Sequence, residues 1–422
     1  MKIELHLLQS VPPSNLNRDD SGTPKDAHFG GHRRARLSSQ SLKRAIRTSE
    51  IFSKIVGSRV GVRTRLAVKY LTERLVSEHE VSDLTAHTIA RSAVEALLKK
   101  VGNDGRSNVL YYAARPELND LAARLASSNE VVAAGEAAAG AESAVADGET
   151  PSSEQQKAID GFLKTLAAST GPVVARFIKD YQGKTSAADI ALFGRMLAEE
   201  PSLNIDAACQ VAHAISIDRV APAFDYFTAV DDLKSTEGDD DKGAGMIGTT
   251  GFTSACFYRY AVIDFDQLVK NLDGDVAMAR DTVRAFVTAA VTALPSGKQN
   301  SFAAQVRPEF VMSVVRHDGM ALSLVNAFAA PVRPNGQSLA YHGVEALNRE
   351  WINMESMYAG LVEEKAAPDV FVVTPHTAAL ARPSGEERED AQRYSLASRV
   401  VPTVRDLIDS IDQVIQQAEV AG

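Results

Sequence analysis

The sequence feature that most constrains this chain is the stretch 25–47, KDAHFGGHRRARLSSQSLKRAIR, which carries seven Lys or Arg residues and one acid. Its local charge is 7 − 1 = +6, whereas the 422-residue chain has a formal net charge of −9. A cationic segment in an acidic protein is typical of contact with phosphate groups. The alternative is a solvated basic surface, which is the commoner explanation of charge runs in general.

The residues among the cations favour the phosphate interpretation. Gly30 and Gly31 would let the backbone approach a ligand closely. The run 38–41, Ser-Ser-Gln-Ser, precedes the apolar positions of a helical pattern, and Ser38 or Ser39 would make a good N-cap. A helix N-terminus offers unpaired backbone N–H groups and the positive end of the helix dipole, which both suit an anion. The stretch therefore predicts a phosphate-binding loop that leads into a helix.

Composition limits the class of protein. A chain of this length with 45% hydrophobic residues can build two or three folded units. It has no apolar run near the roughly 20 residues of a membrane span, and its N-terminus lacks a signal-peptide cleavage signature. Cys209 and Cys256 are too far apart in sequence to indicate a metal motif or a disulfide framework. We therefore expect a reduced, cytoplasmic protein without metal or cofactor, in which any nucleic-acid site is a localised stripe.

Hydrophobic periodicity predicts a mixed fold. Alternating apolar residues predict strands at 2–9, 190–197, 203–217, 252–265, 309–316 and 369–374. Helical spacing predicts helices at 39–55, 60–100, 155–168, 172–181, 275–293, 338–360 and 401–418. The segment 10–37 is predicted to be a long loop, and the Ala/Glu-rich stretch 127–157 is predicted to be a disordered or mobile insert. The class is α+β, most simply a four-stranded antiparallel sheet of the RRM or ferredoxin type with large insertions.

Few residues indicate catalysis. The sequence contains no phosphate loop of the G-x-x-x-x-G-K-S/T kind, no H-E-x-x-H and no G-x-S-x-G motif. His28 and His32 are four apart, but the glycines between them indicate a loop, so metal ligation is the less favoured interpretation. Asp19, Asp20 and Asp26 could hold a divalent metal, although a solvated acidic pair is commoner.

Other positions indicate contact with bases or phosphates. The adjacent aromatics Tyr226 and Phe227 lie beside a Gly-rich acidic segment and could stack on bases, with core packing as the commoner alternative. A methionine normally lies in a core, but Met196 follows Gly194-Arg195, and the neighbouring arginine makes a groove-lining position a second interpretation. The turn 297–300, Gly-Lys-Gln-Asn, offers a cation that could contact phosphate or only solvent.

Several ordered motifs together resemble one family. They are LNRDD (16–20), the stretch 25–47, FGRM (193–196), VAHAIS (211–216), FTAVDDL (227–233), FYRYAVI (257–263) and GKQNSFAA (297–304). With them the chain resembles the CasC family, the crRNA-binding backbone subunit of the type I-E CRISPR Cascade complex. The match covers most of the chain apart from 60–185 and the C-terminal region, and 16–47 is its most specific part.

The resemblance implies a hand-like architecture with an RRM-like palm, a helical finger insertion and a thumb hairpin. It implies a palm at 1–59, a helical finger domain at 60–188 with the low-complexity insert 127–157, palm again at 189–218, a thumb at 219–249 and the remaining palm at 250–422. Copies would polymerise along the crRNA as a helical filament, because open-ended head-to-tail contacts do not close. Each thumb would kink the RNA at regular intervals and leave the guide free to pair with target DNA in antiviral defence.

Position by position, the resemblance implies that the RNA backbone is contacted by Arg18, Lys25, Ser38, Ser39, Gln40, Lys43, Arg44, Arg47, Lys298 and Gln299. Met196 would be the wedge at the kink, and the flipped base would be flanked by Tyr226, Phe227, Thr228 and Ile247. A larger aromatic is usual at the position of Tyr226. Finger lysines contact target DNA in the family, but the match fails there, so Lys99, Lys100 and Lys164 are only candidates.

The expected function is therefore non-catalytic binding of crRNA within a complex of further copies and of large, small, RNA-capping and crRNA-processing subunits. A subunit that serves any guide should contact phosphates rather than base edges. One alternative is a metal-dependent endoribonuclease of the type III backbone kind, which would use Asp19, Asp20 or Asp26. Another is an RNA-processing enzyme with a general base such as His28.

Overall fold

The computed structural model describes residues 1–145, 151–229, 246–360, 367–381 and 393–421. Its strands are β1 (Lys2–Ser14), β2 (Asp26–Phe29), β3 (His32–Leu37), β4 (Gly61–Thr64), β5 (Tyr111–Ala114), β6 (Cys209–Val211), β7 (Ala214–Ser216), β8 (Ala223–Ala229), β9 (Met246–Asp264), β10 (Phe310–Arg316) and β11 (Asp369–Val373). Its helices are α1 (Ser39–Arg47), α2 (Glu50–Val56), α3 (Ala67–His79), α4 (Asp83–Leu98), α5 (Arg115–Ala126), α6 (Asn129–Ser143), α7 (Ser153–Asp180), α8 (Ala188–Phe193), α9 (Phe265–Asn271), α10 (Val276–Thr292), α11 (Gln299–Phe302), α12 (Leu339–Met357) and α13 (Val404–Ala421).

The chain forms two compact units. The first comprises Met1–Phe52, Cys209–Phe265 and Val283–Gly422, and the second comprises Ser53–Ala208 and Asp266–Thr282. The predicted α+β class is confirmed, with antiparallel pairing between the named strands. The division into palm, finger and thumb segments stays a prediction. No helix of the described residues is both long and apolar enough to cross a membrane.

The first unit is built on a sheet with the order β11-β10-β1-β9-β7-β3-β2, to which β6 and β8 add through β9. Within the described residues this sheet links nine strands, rather than the four of the simplest prediction. The strand β1 lies in its middle and pairs antiparallel with both β10 and β9. Residues 3–9 are all buried, so both faces of β1 are covered. One face packs against α12, and the other packs near α1.

A buried polar network lies on β1. Glu4 Oε1 accepts a hydrogen bond from Arg316 Nε at 2.6 Å, and Arg316 also pairs with Glu355 at 2.8 Å. His6 Nδ1 lies 2.9 Å from the hydroxyl of Tyr258. Burial alone would raise the pKa of the Glu4 carboxyl, but the hydrogen bond and charge of His6, together with Arg316, hold that pKa below its usual value. The network satisfies a charge that would otherwise be costly inside the sheet.

The second unit is mainly helical. Its core is formed by α3 to α7, with buried side chains that include Leu71, Val94, Leu121 and Phe177. The two-stranded sheet β4-β5 lies in the same unit. Gly135 of α6 packs so closely on Ile89 that a Cβ at Gly135 would lie 2.5 Å from Ile89 Cγ1. A stretch of small residues is therefore ordered here by close helix contact.

Several expectations about local structure are wrong. The stretch 127–157, expected to be a disordered or mobile insert, contains α6 and the start of α7; residues 146–150 lie outside the described residues. The segment 190–197, expected as a strand, contains most of α8, which is held by the bond from Asn271 Nδ2 to the Ala191 carbonyl. The expected loop 10–37 contains the end of β1 and the β2–β3 hairpin. The expected strand 203–217 is divided into β6 and β7, and the expected helix 39–55 into α1 and α2.

The predicted long elements are confirmed. β1, β9, β10 and β11 each contain most of an expected strand, and α10, α12 and α13 match expected helices to within a few residues. The two expected helices at 155–168 and 172–181 form the single helix α7, which contains Pro172. The region 60–100 is helical as predicted except for β4 at its start.

Candidate nucleic-acid interface

The start of α1 has the geometry that the sequence predicts. Ser38 is the N-cap, and its hydroxyl accepts a hydrogen bond from the backbone N–H of Ser41 at 3.3 Å. No acidic residue lies in the first turn, so the positive end of the helix dipole is not offset locally. Gln40 and Arg44 are exposed, whereas Ser38 is only 5% exposed because its side chain is used as the cap. Lys43 and Arg47 are half-buried along the helix.

The loop after β1 is attached to this helix start by one asparagine. Asn17 Oδ1 accepts a hydrogen bond from the Ser38 backbone N–H at 2.8 Å. The Asn17 carbonyl accepts another from the Lys25 N–H at 2.9 Å, and a β-bridge joins Arg18 to Pro24. Arg18 is exposed and Lys25 is half-buried. The two predicted phosphate-contacting cations of the loop are therefore held beside the N-terminus of α1.

The turn that contains Lys298 and Gln299 packs on the same loop. A Cβ at Gly297 would lie 2.4 Å from the Leu16 carbonyl oxygen, so only glycine permits this approach. Lys298 adopts a left-handed conformation with φ 50° and precedes α11. The backbone contact places this turn at the loop next to Arg18, although the turn is nearly 280 residues away in sequence.

The cations of the β2–β3 hairpin have different roles. Arg33 pairs with Asp26, with 2.5 Å between Arg33 Nε and Asp26 Oδ2. Arg34 is 0% exposed. Its guanidinium donates to the carbonyl oxygens of Ser216, Ile217, Asp218, Phe328 and Ala329. Arg36 Nε donates to the Asp26 carbonyl at 3.0 Å. The charge of +6 in the sequence therefore overstates what a ligand would meet, because one guanidinium is internal and another is neutralised.

His213, which is not among the predicted RNA-contacting residues, lies at the start of α1. His213 is exposed between β6 and β7, and its Nδ1 accepts a hydrogen bond from the Ser39 backbone N–H at 3.0 Å. Arg36 Nη1 lies 3.5 Å from the same nitrogen. Partial burial, and then the charges of Arg36 and Lys25, lower the pKa of His213. The motif VAHAIS contains this residue, so the signal was present in the sequence without a role attached to it.

The predicted thumb residues lie on a hairpin formed by β8 and the first part of β9, residues 246–252, which we call the exposed hairpin. Its register pairs Tyr226 with Thr249 and Thr228 with Ile247. Because cross-strand partners share a face, Tyr226, Thr228 and Ile247 project from one face. Phe227 projects from the opposite face, where its ring covers Gly248. Residues 230–245 lie outside the described residues.

Met196 lies in the second unit and is 89% exposed, which excludes the core position usual for methionine. Its neighbour Arg195 is buried, and Arg195 Nη1 pairs with Glu117 at 3.1 Å. The side chain of Arg195 therefore does not line a groove beside Met196. The three candidate DNA-contacting lysines, Lys99, Lys100 and Lys164, are exposed in the same unit.

Two of the candidate catalytic carboxylates, those of Asp19 and Asp26, have structural partners. Asp19 accepts hydrogen bonds from the hydroxyl of Ser21 and the N–H of Thr23, and these lower its pKa. Asp20 is exposed, and Asp26 pairs with Arg33. In the register of the β2–β3 hairpin, His28 lies opposite Arg33 and His32 lies opposite Phe29. The two histidine side chains therefore project from opposite faces. Among the residues that the structure describes, no three His, Cys, Asp or Glu side chains form a group that could hold a metal ion.

Comparison with known proteins gives one family and a set of similar structures. The family model Cas_CT1975, described as CT1975-like protein, matches residues 3–396. A solved chain described as "CRISPR RNA-guided surveillance complex, pre-nicking" is 28% identical with a TM-score of 0.72, over 98% of this chain and 100% of its own. Another, described as "CRISPR RNA-guided surveillance complex", is 24% identical with a TM-score of 0.63, again over 98% of this chain and 100% of its own. At this identity it shows likeness of fold alone. No curated protein matches the sequence.

Proposed function

Since the chain belongs to the CT1975-like protein family, we propose that it is a non-catalytic component of a CRISPR RNA-guided surveillance complex and holds the guide RNA by its phosphates. The match agrees with the resemblance to the CasC family drawn from the ordered motifs. The structure that is 28% identical is described as a CRISPR RNA-guided surveillance complex, which supports assembly with crRNA and with other subunits.

One observation carries the proposal, namely the convergence of four separate segments of the first unit at the start of α1. The loop with Arg18 and Lys25, the cap of α1, His213, and the turn with Lys298 are joined by the contacts of Asn17, Ser39 and Gly297. The N–H groups of Ser38, Ser39 and Ser41 already donate within the protein. The segments therefore present mainly cations and the exposed polar side chain of Gln40. Such groups bind phosphate without regard to sequence, as a subunit that serves any guide requires.

The exposed hairpin supports the finer part of the proposal. Tyr226 and Ile247 are 59% and 62% exposed on one face, although large apolar side chains are normally buried. Stacking on an exposed aromatic ring tolerates any base. We therefore propose that this face displaces a base at regular intervals as copies assemble along the RNA, and that the intervening guide pairs with target DNA. The role of Met196 as a wedge is proposed separately, on its exposure of 89%. A type I-E complex in cytoplasmic antiviral defence is the proposed setting.

The binding claim is tested with Lys43→Ala/Arg44→Ala. We expect binding of unrelated guide sequences to weaken equally, by about tenfold or more at moderate salt, because two phosphate contacts are lost. The dependence of log affinity on log salt should become shallower by about one to two units. The matched control is Arg349→Ala/Arg405→Ala, which removes the same charge from exposed positions on α12 and α13. Equal affinity of the test and control variants would contradict the proposal.

The non-catalytic claim has its own test. The assembled complex is incubated with guide-complementary RNA and Mg²⁺ or Mn²⁺, and the products are resolved by length. The pairing of Asp26 with Arg33 supports intact RNA as the expected result. Regularly spaced cleavage that Asp26→Ala abolishes would establish the ribonuclease alternative instead.

A further inference from the structure

We infer that His213 is a further guide-RNA-binding residue, which donates a hydrogen bond from Nε2–H to a phosphate oxygen at the start of α1. The inference rests on the proposed function, because it adds a contact to the same site. It assigns a role to a side chain that lies between the short strands β6 and β7, outside the basic stretch 25–47.

The hydrogen bond to Ser39 fixes the tautomer of the ring. A backbone N–H can only donate, so His213 Nδ1, 3.0 Å from the Ser39 nitrogen, must be the acceptor. In a neutral imidazole one nitrogen accepts and the other carries the proton. The proton of neutral His213 therefore lies on Nε2, which is the outward donor position.

The surroundings of the His213 ring oppose its protonation and favour an anionic ligand. The charged groups that act on His213 are Arg36 from β3 and Lys25 from the preceding loop, and both are cations. Partial burial, and then both charges, oppose protonation and lower the pKa of His213. The same cations attract a phosphate, which can accept the Nε2–H bond.

The donor is accessible. His213 is exposed, and within the described part of the chain its Nε2 has no hydrogen-bond partner. Gln40, one residue beyond Ser39, is exposed as well. A phosphate placed against the first turn of α1 would therefore meet Nε2–H, the cation of Lys25 and the polar side chain of Gln40.

Two substitutions separate a donor to RNA from a local structural role. In His213→Asn the amide oxygen replaces Nδ1 as acceptor for Ser39, while the outward donor is lost. In His213→Gln the amide nitrogen reaches the position of Nε2, while the acceptor is lost. Guide affinity is measured for both full-length variants with two unrelated guides, beside His213→Ala and Lys43→Ala/Arg44→Ala. Thermal unfolding of each variant confirms that it is folded.

The inference predicts that His213→Asn binds about five- to twentyfold more weakly than the unmodified protein, close to His213→Ala, because a bond to a charged group is lost. His213→Gln should stay within about threefold. If Asn restores full affinity and Gln does not, the ring only caps Ser39, and the inference is wrong. If Lys43→Ala/Arg44→Ala weakens binding while all three His213 variants bind normally, the inference fails alone. If none of the variants weakens binding, the proposed function fails.

Discussion

Asn17 Oδ1 accepts the backbone N–H of Ser38 at 2.8 Å, and this bond joins the loop after β1 to the cap of α1. The Asn17 carbonyl holds Lys25 in the same loop through a bond of 2.9 Å to its N–H. One residue therefore sets the position of Arg18 and Lys25 relative to the helix start.

Replacement of Asn17 by alanine should lower the free energy of unfolding by about 1 kcal/mol, since one part-buried hydrogen bond is lost. Guide affinity should also fall, because Arg18 is no longer fixed next to α1. Asn17→Asp keeps an oxygen at the acceptor position and is the matched control for stability. Chemical denaturation and an RNA-binding titration measure the two effects. Stability of Asn17→Ala equal to that of the unmodified protein would show that the bond does not hold the loop.

The two glycines of the β2–β3 turn should differ sharply in their tolerance of alanine. Both have positive φ, 57° at Gly30 and 76° at Gly31. A Cβ at Gly30 would lie 1.7 Å from the Ala329 carbonyl oxygen, whereas a Cβ at Gly31 meets no atom within 4 Å. We expect Gly31→Ala to cost about 1 kcal/mol of backbone strain and Gly30→Ala to cost more than about 3 kcal/mol. Urea denaturation of the two variants tests this, and equal losses would contradict the packing of this turn on Ala329.

The stability of the first unit should depend on pH through Glu4. Its folded-state pKa lies below the ordinary value of 4.5, so the stability it contributes is present above that value and is lost as the pH falls through the folded pKa. Glu4→Gln should therefore be destabilised most near pH 7, by about 2–4 kcal/mol, and the difference should shrink toward pH 3. Urea unfolding across this pH range measures it. Glu419→Gln, at an exposed position on α13, should follow the unmodified protein throughout.

The two faces of the exposed hairpin should act differently on RNA. Tyr226 shares its face with Thr228 and Ile247, while Phe227 covers Gly248 on the other face. If the face of Tyr226 displaces the base, Tyr226→Ala should remove about 1–3 kcal/mol of stacking and Phe227→Ala should leave base displacement intact. A 2-aminopurine base walked along the guide in the assembled complex reports unstacking as increased fluorescence. Loss of the increase in Phe227→Ala alone would assign the base to the opposite face.

The sequence predicts well the elements with a long hydrophobic repeat, and the helix end whose capping residue is next to it in sequence. The long strand β9 and the helix α12 follow their apolar spacing, and the N-cap of α1 follows from the serine run. Short apolar runs are ambiguous, and the segment at 190–193 is helical because Asn271 and other tertiary partners hold it. Nothing in HRRAR distinguishes Arg34 from its neighbours, since its five carbonyl partners come from residues 216–218 and 328–329.

The central place of β1 in its sheet also orders events during protein synthesis. The partners of β1 are residues 253–264 and 310–316, so most of the chain must emerge from the ribosome before β1 has a neighbour on both sides. The contacts of Gly30 and Arg34 with residues 328 and 329 can form only later still. The basic stretch 25–47 is thus synthesised early, but its tertiary contacts form late. A nascent chain would carry its positive charge with no defined arrangement of donors, and selective capture of guide RNA would begin only after residue 329 of the 422 has been made.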